Sequence, residues 1–225
     1  MNSETWFLLE SGPGGCAENM ALDEALLESG PQRGQPVLRF YGWTEPAASF
    51  GYFQRIADIE RATVLRPLVR RPTGGGLVPH DADWTYSLVF PPGHPWYGLK
   101  AVESYERVHQ WMQAAFARLG VATELAPCCR RDIPGQCFAG HEKSDLLWRG
   151  RKIAGAAQRR AKSGLLIQGS VQPPLPDLAR AGWEQAVRDA SGVRWEPLVG
   201  GEALGRRGLE LAATKYALPS YNRRR

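Results

Sequence analysis

The sequence predicts an α+β fold, and two observations support this fold class. Short runs rich in aromatic and branched residues, typical of strands, are interrupted by segments with apolar residues every three or four positions, typical of helices. These strand runs cluster and do not alternate with helices in a regular βαβ rhythm. No internal repeat or low-complexity stretch occurs in the 225 residues, so we expect one domain spanning residues 1–225.

The N-terminal half begins with a predicted strand at Trp6–Glu10 and a helix at Ala17–Ser29. In this helix Ala21, Leu22, Ala25 and Leu26 share an apolar face, and the polar face is expected to carry Asn19, Asp23, Glu24 and Glu28. The further elements predicted in this half are strands at Pro36–Trp43, Ala47–Phe53, Leu65–Arg71 and Trp84–Phe90 and a short helix at Ala57–Ala62.

The C-terminal half contains the clearest helix of the sequence, Ala101–Leu119, which ends at Gly120. A loop over Pro127–Gln136 follows, and then strands that form an antiparallel ribbon. The predicted strands are Asp145–Trp148, Lys152–Gln158 and Gly164–Gln172, and helices are expected at Trp183–Ala190 and Glu202–Tyr216.

Composition restricts the classes of protein to consider. The chain is 43% hydrophobic and 23% charged, with eight Trp, seven Tyr and seven Phe, which is typical of a folded globular protein. Its first residues lack the pattern of a signal peptide, and no window approaches 18 uninterrupted apolar residues, so we expect a soluble cytoplasmic protein without membrane association. The four cysteines form no C-x-x-C pair, so we expect free thiols and no metal site.

The net charge of +5 is compatible with two kinds of partner. A basic surface binds nucleic acid or an acidic protein. Because no zinc-finger or RNA-binding signature accompanies the charge, the sequence disfavours nucleic acid.

A run of three glycines, Gly74–Gly76, is the most unusual local feature. It lies within residues 70–81, R-R-P-T-G-G-G-L-V-P-H-D, between two predicted strands. Without side chains, its backbone N–H groups can approach a carboxylate, phosphate or thioester oxygen, and Arg71 can add a guanidinium. A flexible hairpin loop is the simpler alternative. The spacing matches neither a P-loop nor a dinucleotide-binding loop.

This stretch resembles the R-R-x-[ST]-G-G-G-x-V-x-H-D signature of the lipoate-protein ligase and octanoyltransferase superfamily. Further segments agree in the same chain order. They are residues 10–12 with 18–27, then P-V-L-R-F-Y-G-W at 36–43, S-F-G-Y-F-Q at 49–54, G-R-K-I-A-G-A-A-Q at 150–158 and L-I-Q-G-S at 166–170. The resemblance implies the fold of the biotin and lipoate ligase catalytic domain, with mixed and antiparallel sheets flanked by helices.

The resemblance also implies a set of site residues. Lys152 would reach the acyl carbonyl, although a lysine after a tight turn is by itself more often solvated. His80 is expected to support the pocket only. The acyl pocket would be formed by Arg71, Thr73, Gly74, Gly75, Gly76, Leu77, Val78, His80, Gly155 and Ala156.

Cys137 distinguishes two reactions within the superfamily. It precedes Phe138 and lies 15 residues before Lys152, which resembles the segment bearing the nucleophile in octanoyltransferases that pair a cysteine with this lysine. A thiolate exchanges readily with a thioester, and an amine can then attack the acyl-enzyme. Many ligases instead carry G-R-N-D where this chain has residues 143–145. Most free cysteines are simply buried, and Cys128 and Cys129 are alternative nucleophiles.

The transferase interpretation implies specific partners. Octanoyl-acyl carrier protein would be the donor, and a lysine of a lipoyl domain of a 2-oxoacid dehydrogenase or of a glycine-cleavage H protein would be the acceptor, with no tightly bound cofactor. The first alternative is an ATP- and magnesium-dependent lipoate ligase. Larger ligases continue into an accessory domain from a segment that Lys215–Arg223 resembles, and we expect no such domain in this chain. The second alternative is a noncatalytic module that binds carrier proteins.

Overall fold

A computed structural model of the protein describes residues 4–131, 140–173, 177–199 and 201–224. Its strands are β1 (Thr5–Gly14), β2 (Val37–Trp43), β3 (Ala47–Phe50), β4 (Leu68–Arg70), β5 (Val78–His80), β6 (Trp84–Phe90), β7 (Glu124–Leu125), β8 (Arg130–Arg131), β9 (Gly140–His141), β10 (Leu146–Trp148), β11 (Arg151–Ala161), β12 (Gly164–Val171) and β13 (Arg194–Pro197). Its helices are α1 (Cys16–Glu28), α2 (Gly30–Arg33), α3 (Ile56–Ala62), α4 (Pro95–Gly98), α5 (Ala101–Arg118), α6 (Arg180–Ala190), α7 (Glu202–Leu211) and α8 (Pro219–Asn222), with a π-helical turn at Ala212–Tyr216.

A large mixed sheet organises the molecule. Among the described residues it has eight strands in the order β13-β1-β2-β6-β12-β11-β10-β7. Strands β13, β1 and β2 run parallel, and the neighbours from β2 onward are antiparallel. A smaller sheet, β4-β3-β5, and a two-stranded pair, β8-β9, lie beside it. The α+β fold class with mixed and antiparallel sheets is therefore confirmed.

The central strands β2, β6 and β12 are buried on both faces, and their alternating side chains meet two different environments. One face contributes Leu38, Tyr86 and Ile167 to a core completed by α5 and α6. The other face packs against α1 and contributes Val37, Val89 and Leu166 to a second, smaller core. Burial of both faces explains why these strands read as nearly continuous apolar runs.

Polar residues interrupt the face of the sheet that contacts α1. Side chains on this face pair across the three central strands in three rows: Val37–Val89–Leu166, Arg39–Ser87–Gln168 and Tyr41–Thr85–Ser170. The first row is apolar and the other two are polar and buried. Because buried polar groups need hydrogen-bond partners, these rows create a polar region between α1 and the sheet.

The expected polar face of α1 does not face solvent as a whole. Glu28 is exposed, but Asn19, Asp23 and Glu24 are buried. Arg39 Nη1 lies 2.7 Å from Asp23 Oδ1, so the two charges are paired. Burial alone would raise the pKa of Glu24, but hydrogen bonds from Lys215 and Tyr216 lower it below its usual value. These side chains lie inside the molecule because residues distant in sequence supply their partners.

Most predicted elements are confirmed with small changes at their ends. The run predicted as Ala47–Phe53 ends at Phe50, and the run predicted as Leu65–Arg71 begins at Leu68, after Pro67, which has no N–H to donate to a sheet. The antiparallel ribbon β10-β11-β12 is confirmed. The sequence did not predict β5 or β13, which are only three and four residues long.

No helix in the described ranges combines the length and the apolar character needed to cross a lipid bilayer.

Candidate active site

A cavity of about 370 Å³ opens between the large sheet and the small sheet. Polar residues of the α1-facing rows line it, including Tyr41, Thr85, Gln168 and Ser170. Strands β3 and β5 contribute the opposite wall, and residues from β8, β9 and β11 border it. Its volume lies within the range of about 300–1,000 Å³ typical of small-molecule sites.

Lys152 lies in this cavity as half of a buried ion pair. Its Nζ is 2.7 Å from Asp145 Oδ2, and the Asp145 side chain is fully buried. The Tyr105 hydroxyl donates to the other carboxylate oxygen, and the Glu142 backbone N–H donates to Oδ2 at 2.7 Å. Asp145 therefore neutralises the ammonium and fixes its position at the cavity wall.

Gly155 makes room for this lysine. A Cβ atom at position 155 would lie 2.7 Å from Lys152 Cε and 2.8 Å from its Nζ. Contacts this short do not occur between real Cβ atoms and their neighbours, so only glycine permits the observed path of the lysine side chain.

Arg71 organises the glycine loop. Its Nη2 donates to the carbonyls of Gly74 and Gly76, both at 2.6 Å, and its Nη1 donates to Ser49 O at 3.2 Å. Because a trans peptide orients its N–H opposite to its C=O, the N–H groups of Gly75 and Leu77 point away from this guanidinium. The Arg71 guanidinium, which we expected to bind a ligand directly, therefore holds carbonyls of the glycine loop.

Packing between Gly51 and Gly75 also shapes the loop. A Cβ at position 51 would come within 1.9 Å of the Gly75 carbonyl oxygen, so the turn after β3 and the glycine loop are in close backbone contact. The Tyr52 N–H donates to Thr73 O at 2.9 Å and links the same two segments. The loop is thus a supported wall of the cavity and differs from the flexible hairpin considered as an alternative.

The predicted pocket residues are distributed as follows. Those that line the cavity are Arg71, Gly75, Gly76, Val78, His80, Lys152, Gly155 and Ala156. Leu77 packs with Phe50 and Ile59 in a small core beneath β3. Thr73 is buried and donates to Gln168 Oε1 at 2.7 Å. Cys137 lies outside the described residues.

The remaining predicted pocket residue, Gly74, contributes the carbonyl that accepts from Arg71. Thr73 acts through a hydrogen-bonded chain, because Gln168 Nε2 donates onward to Asp23 Oδ2 at 2.7 Å. Thr73 and Gly74 therefore support the walls of the cavity from behind. Their role in acyl binding, like that of Leu77, stays a prediction.

Three cysteines fall within the described residues, and each has a different environment. Burial raises the pKa of the Cys16 thiol to about 12, with a further contribution from Glu45. Cys128 and Cys129 are exposed, and Cys129 Sγ donates to Glu142 Oε2 at 3.0 Å. Since Glu142 lines the cavity, Cys129 lies near its rim. Cys16 stays protonated at neutral pH and is not available as a nucleophile.

Several residues at the site were not singled out from the sequence, chiefly Ser49, Asp83, Tyr105, Asp145 and Gln168. Ser49 and Gln168 lie within segments that carry the family resemblance, which is the signal that could have identified them. Asp145 ends the stretch 143–145, in which this chain lacks the G-R-N-D segment of many ligases. Nothing in the local pattern at Tyr105 predicts its contact with Asp145.

The family model described as the lipoyl protein ligase A/B catalytic domain matches residues 16–172. This range contains the cavity's glycine loop, its lysine and both polar rows of the sheet. The chain belongs to the lipoyl protein ligase A/B family. The resemblance read from the glycine loop and the β11–β12 segments is therefore confirmed.

Within this family, the chain is similar to proteins named octanoyltransferase LipM. It is 38% identical over 176 residues to that of Carboxydothermus hydrogenoformans, covering 75% of this chain and 65% of the relative. It is 36% identical over 184 residues to that of Bacillus subtilis, covering 76% of this chain and 66% of the relative. The chain thus spans slightly less than two thirds of the length of these relatives.

Solved structures of lipoate ligases share the fold. A lipoate-protein ligase A bound with ATP superposes with a TM-score of 0.77 at 21% identity, covering 99% of both chains. A bipartite lipoate protein ligase from Thermoplasma acidophilum, described with its E2 lipoyl domain, gives a TM-score of 0.73 at 20% identity over 99% of this chain and 97% of that chain. The expected lipoate-ligase fold is confirmed.

Proposed function

We propose that the protein is an octanoyltransferase that moves an octanoyl group from a carrier-protein thioester to a lysine of an acceptor protein, through an acyl-enzyme on Cys137. The observation that carries this proposal is the 36–39% identity to proteins named octanoyltransferase LipM over about three quarters of the chain. The cavity with its Lys152–Asp145 pair supplies a site of suitable size and polarity.

The flanks of the segment that contains Cys137 support its placement near this cavity. Arg130 and Gly140 both line the cavity, and their strands β8 and β9 pair with each other. Cys137 precedes Gly140 by three residues, and consecutive Cα atoms are 3.8 Å apart. Covalent geometry therefore limits the two Cα atoms to a separation of about 11 Å.

The proposed reaction has two steps. The Cys137 thiolate attacks the thioester carbonyl, the tetrahedral intermediate collapses, and the carrier thiol leaves with a proton. The acceptor lysine, as a free amine, then attacks the Cys137 thioester to form an amide and release the thiol. The Gly75 and Leu77 N–H groups, turned away from Arg71, are candidate donors to the oxyanion of both steps. No ATP is consumed, because an amide replaces a thioester.

Lys152 has two roles in this proposal. Its ammonium lies at the cavity wall, where a positive charge favours ionisation of a nearby thiol. It also hydrogen-bonds the acyl carbonyl. Asp145 holds the Lys152 Nζ in an ion pair at 2.7 Å, which keeps this nitrogen from acting as an acyl acceptor itself.

A basic cleft beside the cavity fits an anionic donor. It is lined by Tyr52, Arg159, Lys215, Tyr221 and Arg224, and the Arg224 guanidinium stacks on Tyr52 at 3.8 Å. Such a cleft suits the phosphate-bearing arm of acyl carrier protein. We propose a lipoyl domain or a glycine-cleavage H protein as the acceptor, since one structural neighbour is described with an E2 lipoyl domain.

Intact-mass measurement after incubation with octanoyl-acyl carrier protein tests the proposal. We expect a gain of one octanoyl group on the wild type and none on Cys137→Ala. Cys129→Ala is the matched control and should still be acylated. An adduct that persists on Cys137→Ala, or no adduct on the wild type, contradicts the proposal. Release of pyrophosphate from ATP and free lipoate would assign the chain to the ligases instead.

A further inference from the structure

Ser49 and His80 are hydrogen-bonded across the small sheet, and both line the cavity. Strands β3 and β5 are antiparallel, with Ala47 opposite His80 and Ser49 opposite Val78, so the two side chains are diagonal neighbours on one face. The Ser49 Oγ lies 2.8 Å from His80 Nε2. A serine hydroxyl is therefore in direct contact with an imidazole nitrogen.

Asp83 completes a chain of three residues. Its Oδ2 lies 2.8 Å from His80 Nδ1, and the same oxygen accepts from the Ser170 hydroxyl at 2.6 Å. A carboxylate at Nδ1 selects the tautomer that carries its proton there, so Nε2 is left as the acceptor for the Ser49 hydroxyl. This is the order of contacts in a Ser-His-Asp triad, which is recognised by geometry and not by sequence position.

The three hydrogen-bonded side chains Ser49, His80 and Asp83 are shielded from water. The indole of Trp43 stacks on the His80 ring with centroids 3.9 Å apart, and both the His80 and Asp83 side chains are at least 97% buried. Within the described part of the chain, Asp83 Oδ1 is buried without a hydrogen-bond partner. A buried polar atom without a partner is uncommon in a purely structural contact, and Asp83 is held against His80 Nδ1, where a triad places its carboxylate.

The guanidinium of Arg71 links this serine to the glycine loop. Its Nη1 donates to Ser49 O at 3.2 Å and lies 3.3 Å from Ser49 Oγ, while its Nη2 binds the Gly74 and Gly76 carbonyls. The positive charge favours a developing alkoxide on Ser49. The oppositely directed N–H groups of the loop are the candidate oxyanion donors already described. The serine, its base and these donors belong to one wall of the cavity.

We infer from this constellation that Ser49 is a second acyl-accepting nucleophile, which gives the cavity a serine esterase and thioesterase activity toward short and medium acyl chains. His80 Nε2 takes the Ser49 proton as Oγ bonds to the acyl carbon. It then gives that proton to the departing alcohol or thiol, which leaves an acyl-serine. Water attacks this ester with His80 again as base, and release of the carboxylic acid restores the serine.

A fluorophosphonate probe in a Cys137→Ala background tests the inference. This background cannot form the proposed cysteine acyl-enzyme, so the outcome does not depend on octanoyl transfer. We expect one phosphonate adduct, located on Ser49 by peptide mass spectrometry, and hydrolysis of p-nitrophenyl octanoate. Adding His80→Gln should slow both by about 100-fold, the usual contribution of a general base. Adding Ser163→Ala, in the turn between β11 and β12 and outside the lining of both the cavity and the basic cleft, should leave both unchanged.

A Cys137→Ala protein that folds but carries no adduct on Ser49 would overturn the inference and leave the three residues as a structural link between β3, β5 and β6. Because the adduct is located in this single variant, the result stands even where Ser49→Ala does not fold. Hydrolysis that persists in a folded Ser49→Ala/Cys137→Ala protein would likewise overturn it. Failure of the octanoyltransferase proposal alone would give a different result, namely no octanoyl group on the wild-type protein in the intact-mass experiment.

Discussion

At the scale of single residues, the site is set by charges that are buried in pairs. Lys152 is largely buried and Asp145 is fully buried, so neither charge has much access to water. Arg39 and Asp23 form a second such pair behind the cavity at 2.7 Å. Removing one partner of a buried pair leaves an uncompensated charge, which is costlier than removing both. The polarity of the cavity therefore depends on matched pairs.

Asp145→Asn should show this dependence. The amide keeps the shape of the carboxylate but not its charge, so the largely buried Lys152 ammonium loses the negative charge of Asp145. We expect a loss of about 3 kcal/mol in the free energy of unfolding, measured by urea denaturation at pH 7. The double variant Asp145→Asn/Lys152→Met should recover part of this loss. If it is less stable than Asp145→Asn alone, charge pairing is not what the aspartate provides.

At the scale of elements, the two long strands β11 and β12 carry glycines with different tasks. At Gly155 in β11 an added Cβ would meet the flexible end of Lys152. At Gly169 in β12 it would lie 2.1 Å from the Tyr86 ring, which is fully buried between neighbours. The first clash is relieved when the end of Lys152 shifts and Asp145 Oδ1, 3.1 Å from the added Cβ, gives by a few tenths of an ångström, whereas the second would require the core to shift.

The variants Gly155→Ala and Gly169→Ala should therefore separate activity from stability. We expect Gly155→Ala to lose at most about 2 kcal/mol of stability, because Lys152 shifts on its flexible stem but stays near Asp145, and to slow acyl transfer by at least about tenfold. Gly169→Ala should lose about 3 kcal/mol or more through overpacking. Thermal unfolding and the octanoyl-transfer rate are the two measurements. Equal stability losses would contradict this assignment of roles.

Gly182→Ala is the control for both variants. This glycine lies in α6, and its added Cβ would meet only Leu119 Cδ2 at 4.0 Å. Alanine is favoured over glycine within a helix by about 0.5–1 kcal/mol. The control should raise the stability slightly and leave the transfer rate unchanged.

At the scale of the whole molecule, the large sheet separates its larger apolar core from the face that carries the smaller core and the two polar rows. Helix α5 covers the apolar face, yet it also brings His109 next to the Lys152–Asp145 pair. The His109 ring is fully buried, with Nδ1 3.0 Å from Tyr105 O, and burial lowers its pKa to about 4. An imidazole in the unfolded chain titrates near 6.5. The folded protein therefore holds this histidine neutral where the unfolded chain protonates it.

Stability should consequently fall on acidification. Between pH 6.5 and about 4 the unfolded chain binds a proton that the folded chain does not, so the contribution is present above pH 6.5 and lost as pH falls to about 4. Its full size is about 3 kcal/mol. His109→Gln, which cannot titrate, should flatten the urea-unfolding free energy across this window relative to wild type. Parallel curves for the two proteins would contradict the assignment.

The order of helices and strands was predictable from the sequence because it depends on local spacing. The structure confirms the elements predicted from such spacing, namely helix α5, strands β2 and β6 and the ribbon β10-β11-β12. Strand β5 was not predictable, because a three-residue strand carries no measurable alternation. Of the candidate site, the glycine loop, Lys152 and Gly155 were identified by resemblance. Asp145 and Tyr105 were not, since their contact joins residues 40 positions apart.

What the sequence by itself determined was the fold class, the family and the loop and strands that border the cavity. The tertiary structure alone decided that Asp23 and Glu24 lie inside the molecule, that Arg71 binds loop carbonyls, and that Ser49, His80 and Asp83 form one chain. The physical reason is that side-chain periodicity is a property of neighbours in sequence. Compensation of a buried charge depends on partners that only folding brings within hydrogen-bonding distance.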